Sequence, residues 1–177
     1  GSLEQSTIEL FAQAGWHITS FSRNYFPAVD DPELTCSLVR PQEMALYVAD
    51  GTLDLGLTGL DWILERECLD KVVSVAQLDY SKSSNQPCRW VLVVRKEAPV
   101  HSLADLQGKR IATELEQVTR NYLKKNGVEA EVVFSWGATE AKVVEGLVDA
   151  VVEITETGST IHAHGLRIVE EVLYPAM

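Results

Sequence analysis

The 177-residue chain is poor in the features that usually announce a function at first sight. It has only three cysteines, Cys36, Cys68 and Cys88, scattered without metal-ligand spacing. They cannot all pair internally, so reduced core thiols are expected and a zinc site is not. Of four histidines only His162 and His164 lie close together, and residues two apart do not share a helix face. No run approaches the ~18–20 apolar residues of a membrane span, and no basic-then-apolar signal segment opens the sequence. A cytoplasmic protein without membrane partners is expected. Positive charge is scarce as well: 15 basic residues against 26 acidic give a formal charge of −11, which argues against a nucleic-acid partner. A few arginines focused in a cleft can still hold a small anion, so the scarce ones matter: Arg23, Arg40, Arg89, Arg95, Arg110, Arg120 and Arg167. No Ser–His–Asp order and no reactive cysteine setting is visible. Any catalysis would rest on positioning and charge stabilisation.

What is present is a regular alternation of strand and helix signals. Helix patterns cover residues 3–14, 41–49, 61–67, 116–126 and 138–145, with a short capped turn at 102–108. Strand patterns cover 17–21, 34–39, 53–57, 72–78, 90–94, 110–112, 131–134, 150–154 and 167–173. The alternation predicts an α/β fold with mostly parallel sheets and helices outside. A polar stretch at 80–87 reads as a lobe boundary, so two lobes with a ligand cleft between them are expected.

The chemistry concentrates at strand ends. The apolar run Ala150, Val151, Val152, Ile154 leads into Thr155-Glu156-Thr157-Gly158-Ser159-Thr160, with Glu153 near the strand end. Such a loop at a helix start builds phosphate sites from N–H groups and hydroxyls, and Glu153 could hold a ribose hydroxyl or Mg²⁺. The same residues can simply cap a helix, and both readings stay open. Thr113-Glu114 and Gly137-Ala138-Thr139-Glu140 also place a hydroxyl and a carboxylate at strand ends, the ligand edge of open α/β sheets. Arg40, before Pro41, could fork onto a phosphate or form a surface ion pair. Gly56-Leu57-Thr58-Gly59-Leu60-Asp61 either admits a ligand or makes a tight turn. Trp16, Trp62, Trp90 and Trp136 read as core residues, Trp136 being the one placed to meet a base.

In their order these motifs resemble the ATP phosphoribosyltransferase family, which opens histidine biosynthesis. Gly1-Ser2-Leu3-Glu4, Arg40-Pro41-Gln42-Glu43 with Tyr47-Val48-Ala49-Asp50-Gly51, and Leu53-Asp54-Leu55-Gly56-Leu57-Thr58-Gly59-Leu60-Asp61 are similar to its first lobe. Lys109-Arg110-Ile111-Ala112-Thr113-Glu114, Gly137-Ala138-Thr139-Glu140, Gly146-Leu147-Val148-Asp149-Ala150 and the 157–160 loop are similar to its second.

The resemblance implies a two-lobed fold like type II periplasmic binding proteins. Lobe I would be residues 1–86 plus 166–177, and lobe II 87–165. It implies transfer of phosphoribosyl from phosphoribosyl pyrophosphate to N1 of ATP, with release of Mg²⁺-bound pyrophosphate. The phosphoribosyl pyrophosphate residues would be Glu153, Thr155, Glu156, Thr157, Gly158, Ser159 and Thr160. The ATP residues would be Arg40, Thr58, Gly59, Asp61 and Glu140. Arg23, Arg40 and Glu153 would be catalytic, Mg²⁺ would ride mainly on substrate phosphates, and the protein itself would hold no resident metal. A homo-oligomer, dimer or hexamer, or a complex with a regulatory subunit is implied. The sequence departs from the family in having Glu153 where Asp is usual and His162 and His164 where Arg and Asn are frequent. The family's opening strand and its lysine precede the position of Gly1. The alternative function on this fold is a non-catalytic solute-binding protein; a third is a lobe pair serving only in assembly.

Overall fold

The computed structural model describes residues 2–21, 24–78 and 87–174. Its core is one five-stranded sheet in the second half of the chain. The strands are β3 (Arg89–Arg95), β4 (Arg110–Thr113), β5 (Glu131–Phe134), β6 (Ala150–Thr155) and β7 (Leu166–Leu173), following the short β1 (Ile18–Thr19) and β2 (Ala28–Val29). The spatial order is β5-β4-β6-β3-β7. β4 runs parallel to β5 and β6, whereas β3 runs antiparallel to β6 and β7, so the expected α/β fold is built on a mixed sheet that is parallel from β5 to β6. Helices α4 (Glu116–Lys125), α5 (Thr139–Val144) and α6 (Ser159–Ala163) follow β4, β5 and β6.

β3 explains why the core sits here. Its sequence Arg-Trp-Val-Leu-Val-Val-Arg is apolar at every interior position, as befits a strand covered on both faces. Side chains alternate across the sheet. Trp90, Leu92 and Val94 join Leu106, Ile111, Leu115 and Leu123 on one face, while Val91 and Val93 join Val143, Val151, Ile161 and Leu166 on the other. The turn expected at 102–108 is a 3₁₀ helix, Leu103–Leu106. Ser102 and Asp105 cap it reciprocally.

The first half carries α1 (Ser2–Gln13), α2 (Pro41–Ala49) and α3 (Leu60–Glu65), with β1 and β2 paired antiparallel. Pro41 starts α2 because its fixed φ suits the first helical position, and Gly51 at φ +80° ends the turn after it. The expected strand at 17–21 is reduced to two residues. Those expected at 34–39, 53–57 and 72–78 form no ladder among the described residues. The reason is visible at 53–57: Leu53 N–H bonds to Tyr47 O at 2.9 Å, and Gly56 lies so close to α2 that a Cβ would stand 2.6 Å from Met44 and 2.9 Å from Val48. That segment covers a helix, and Gly56 is a packing glycine. At 72–78 Val72 is half-buried but the side chains after it are exposed, Val73 by 86% and Val75 by 76%.

The last strand was expected to return to the first lobe, within residues 166–177. β7 is registered on β3 from Arg95↔Leu166 to Trp90↔Leu173, at the edge of the five-stranded sheet. Its apolar positions are satisfied there, Leu166 being buried beside Val91 and Val93. Cys68 and Cys88 are buried free thiols and Cys36 is a half-buried one. No helix among the described residues is long and apolar enough to cross a membrane.

Candidate functional site

Because β4, β5 and β6 are parallel neighbours, their carboxyl ends open onto one edge. That edge gathers Thr113-Glu114, the turn Ser135-Trp136-Gly137-Ala138 and the β6–α6 loop. Each connection is built locally. Thr113 Oγ1 accepts the Leu115 N–H at 3.0 Å, turning the chain from β4 towards α4. Buried Ser135 and Thr139 share a hydroxyl bond of 2.9 Å across the β5–α5 turn, where Gly137 and Ala138 have φ of +70° and +47°.

The β6–α6 loop is closed on itself. Gly158 N–H donates to Thr155 Oγ1 at 2.8 Å, Ser159 N–H to Thr157 Oγ1 at 3.3 Å, and the Thr157 hydroxyl to Ser159 Oγ at 3.0 Å. Gly158 has φ +79°, and a Cβ there would lie 3.3 Å from Ile168 Cδ1. Thr157, Ser159 and Thr160 face solvent, whereas Gly158 is buried. Glu156 accepts a 3.7 Å contact from the Cys88 thiol. The loop's hydroxyls therefore already stand where an anion's oxygens would meet those N–H groups.

Glu153 sits one strand-step before this loop, opposite Val91 of β3. Burial, then the negative charges of Glu140 and Glu114, push its carboxyl up to about 7. Burial also raises Glu114, against the Gly137 N–H and the Gln42 side chain that bond it. Three carboxylates from three strand ends thus share one field. Among the described residues no group of three or more His, Cys, Asp or Glu could hold a metal ion.

Residues of the first half reach the same edge. The Arg40 guanidinium lies 4.8 Å from the centre of the Trp136 ring, a cation–π stack, and Trp136 is 62% exposed. Thr58 Oγ1 donates to Pro41 O at 2.7 Å, pinning the start of α2 beside Arg40, and Gly59 caps α3. Asp61 is brought to the Trp90 indole N–H, 2.8 Å away, and is buried. Arg23 lies outside the described residues. Several of the other arginines are engaged elsewhere: Arg89 pairs with Glu171, Arg110 with Glu131, Arg120 with Glu116, and Arg167 donates to the carbonyls of Lys96, Ala98 and Val100. The sequence reading missed three links, Gln42 to Glu114, Trp90 to Asp61, and Glu65 to the start of α4. None has a local pattern, since each joins segments far apart in the chain.

Fold and site together define a class: an α/β protein that gathers a hydroxyl-rich glycine loop and a carboxylate field at the carboxyl ends of parallel strands. The family model described as ATP phosphoribosyltransferase matches residues 40–176, and the chain belongs to that family. It is 60% identical over 173 residues to the ATP phosphoribosyltransferase of Solidesulfovibrio magneticus and 59% identical to that of Nitratidesulfovibrio vulgaris strain Hildenborough. Each alignment covers 98% of this chain and 58% of the relative, so the chain spans under two thirds of the length of these curated relatives. Among solved structures it resembles the ATP phosphoribosyl transferase (HisG:HisZ) complex from Thermotoga maritima. The TM-score is 0.77 at 28% identity, covering 97% of this chain and 78% of that one.

Proposed function

We propose that this chain binds phosphoribosyl pyrophosphate and ATP and transfers the phosphoribosyl group to N1 of the adenine. The C1–oxygen bond to pyrophosphate breaks as the C1–N1 bond forms. The observation that carries this reading is the β6–α6 loop beside Glu153, at one edge with Arg40 and Trp136.

The 5-phosphate would take the N–H groups of Gly158 and Ser159, displacing the loop's own hydroxyls, with Thr157, Ser159 and Thr160 donating. Glu153 would accept the ribose hydroxyls, and its negative charge would favour positive charge developing at C1. Thr155 and Glu156 shape the loop. Arg40, with Arg23, would oppose the charge gathering on pyrophosphate or on the ATP phosphates. Thr58, Gly59 and Glu140 would frame the ATP side, with the open face of Trp136 against the base. Mg²⁺ would be held by the substrate's phosphates and would neutralise charge on the leaving group.

A division into lobes of residues 1–86 plus 166–177 and 87–165 agrees with Arg40 and Gln42 meeting Trp136 and Glu114 across a boundary. It places the paired strands β3 and β7 at the crossing. A homo-oligomer or a partner regulatory subunit, in the cytoplasm, fits the same reading, and the Thermotoga maritima relative is itself a complex.

Calorimetric titration with phosphoribosyl pyrophosphate and Mg²⁺, then ATP, tests the reading, with product absorbance followed in the presence of a pyrophosphatase. Thr157→Ala and Thr160→Ala should each weaken phosphoribosyl pyrophosphate by ~1.5–3 kcal/mol, the worth of a hydrogen bond to a charged group, and leave ATP unchanged. Equal weakening of both ligands would place the phosphate elsewhere. Tight binding of an amino acid with no affinity for phosphoribosyl pyrophosphate would replace the transferase with a solute-binding protein.

A further inference from the structure

One face of α3 connects Arg40 to the strand-end site. Asp61 and Glu65 are four residues apart and so stand on the same side of this helix. Both reach into the sheet-bearing half. Asp61 is 1% exposed; its Oδ2 accepts the Trp90 indole N–H at 2.8 Å and its Oδ1 the Trp62 N–H at 2.9 Å. The Trp62 ring meets Trp90 edge-on, with centroids 6.1 Å apart. The two oxygens of Glu65 accept the N–H groups of Gln117 and Val118 at 3.0 and 2.9 Å. Those are first-turn donors of α4 that no helical carbonyl can satisfy, and the helix dipole favours a carboxylate there.

The residues joined in this way flank the site. Trp90 pairs with Ile154 on β6, between the Arg89–Thr155 and Val91–Glu153 pairs. α4 begins two residues after Glu114. At its other end α3 is capped by Gly59, and the neighbouring Thr58 holds Pro41 next to Arg40. Apolar contacts alone would let α3 slide over the sheet. Glu65 with both oxygens on α4 and Asp61 with Oδ2 on Trp90 allow one register, because a shift would leave these polar groups unpaired.

We propose that Asp61 and Glu65 form a two-point clasp holding the Arg40-bearing half over the strand-end edge, which makes them positioning residues for phosphoribosyl transfer. The catalytic consequence rests on the function proposed above, whereas the clasp itself rests on geometry alone. Asp61→Asn and Glu65→Gln test it, since each amide keeps one acceptor and turns a donor towards the other N–H.

The readout is the set of four tryptophan indole signals in ¹⁵N-labelled protein, together with steady-state kinetics. Asp61→Asn should speed solvent exchange of the Trp90 indole N–H by tenfold or more. Both variants should shift the Trp136 signal as Arg40 leaves its ring. kcat should fall tenfold or more while KM for phosphoribosyl pyrophosphate stays within threefold, because the 157–160 loop is untouched. Folded variants with the wild-type Trp136 signal and unchanged kcat would overturn the clasp. So would a loss confined to KM. If wild-type protein makes no product, the proposed function fails, and the indole signals still decide the clasp. If Asp61→Asn does not fold, the half-buried Glu65→Gln carries the same test.

Discussion

Glu153 is where residue-level physics makes its sharpest demand. Its folded carboxyl titrates near 7, above the ordinary 4.5, because burial and then Glu140 and Glu114 disfavour the charge. A raised folded value means the fold favours the neutral form. That stabilisation is complete below about pH 4.5 and lost as pH rises through about 7. Glu153→Gln should therefore raise the melting temperature at pH 8, by an amount equivalent to ~2 kcal/mol, and flatten the stability profile from pH 5 to 8. Thermal melts across that range check it, and an unchanged slope would remove Glu153 as the titrating group. In the wild type, phosphoribosyl pyrophosphate should bind more tightly from pH 6 to 8, because the ionised carboxylate accepts two hydroxyls. Glu153 was legible from its place at a strand end. Its titration was not, because its burial and the approach of Glu140 and Glu114 depend on elements distant in sequence. The burial of Asp61 and its bonds to the Trp62 backbone N–H and the Trp90 indole N–H were not legible either, since Trp90 lies 29 residues away.

At the scale of elements, the β6–α6 connection depends on one backbone conformation. Gly158 at φ +79° lets its N–H meet Thr155 Oγ1 and turns the chain into α6. Gly158→Ala should cost ~1–2 kcal/mol for the left-handed conformation, with more from the 3.3 Å approach to Ile168. It should also weaken phosphoribosyl pyrophosphate, since the displaced N–H groups no longer converge. Chemical denaturation and calorimetry measure the two effects; a neutral substitution would mean that the loop is not held this way. Elements with buried partners were read from sequence almost to the residue: β4 through β6, α4 and the capped turn at 102–108 all appear where the pattern put them. The segments 34–39, 53–57 and 72–78 have the same kind of pattern and form no ladder among the described residues. Periodicity reports which side chains want cover, and a strand also needs a neighbour for its N–H and C=O groups.

For the whole molecule this division becomes a gradient of stability. The two buried clusters lie on the faces of the five-stranded sheet, with β6 at its centre and β3 between β6 and β7. Amide hydrogen exchange should be slowest in β3, β4 and β6. It should be faster by on the order of a thousandfold or more at 72–78, where Val73 and Val75 stand in solvent. Equal protection at both places would mean that 72–78 is covered in solution.

By itself the sequence determined the α/β class, the family and the strand-end motifs, because these depend on local periodicity, turn chemistry and residue order. The tertiary structure decided which motifs meet. Parallel pairing of β4, β5 and β6 brought three carboxylates and a glycine loop to one edge, and α3 placed Arg40 over it. Those relations join residues far apart in sequence, where direction and distance, rather than residue type, set the electrostatics.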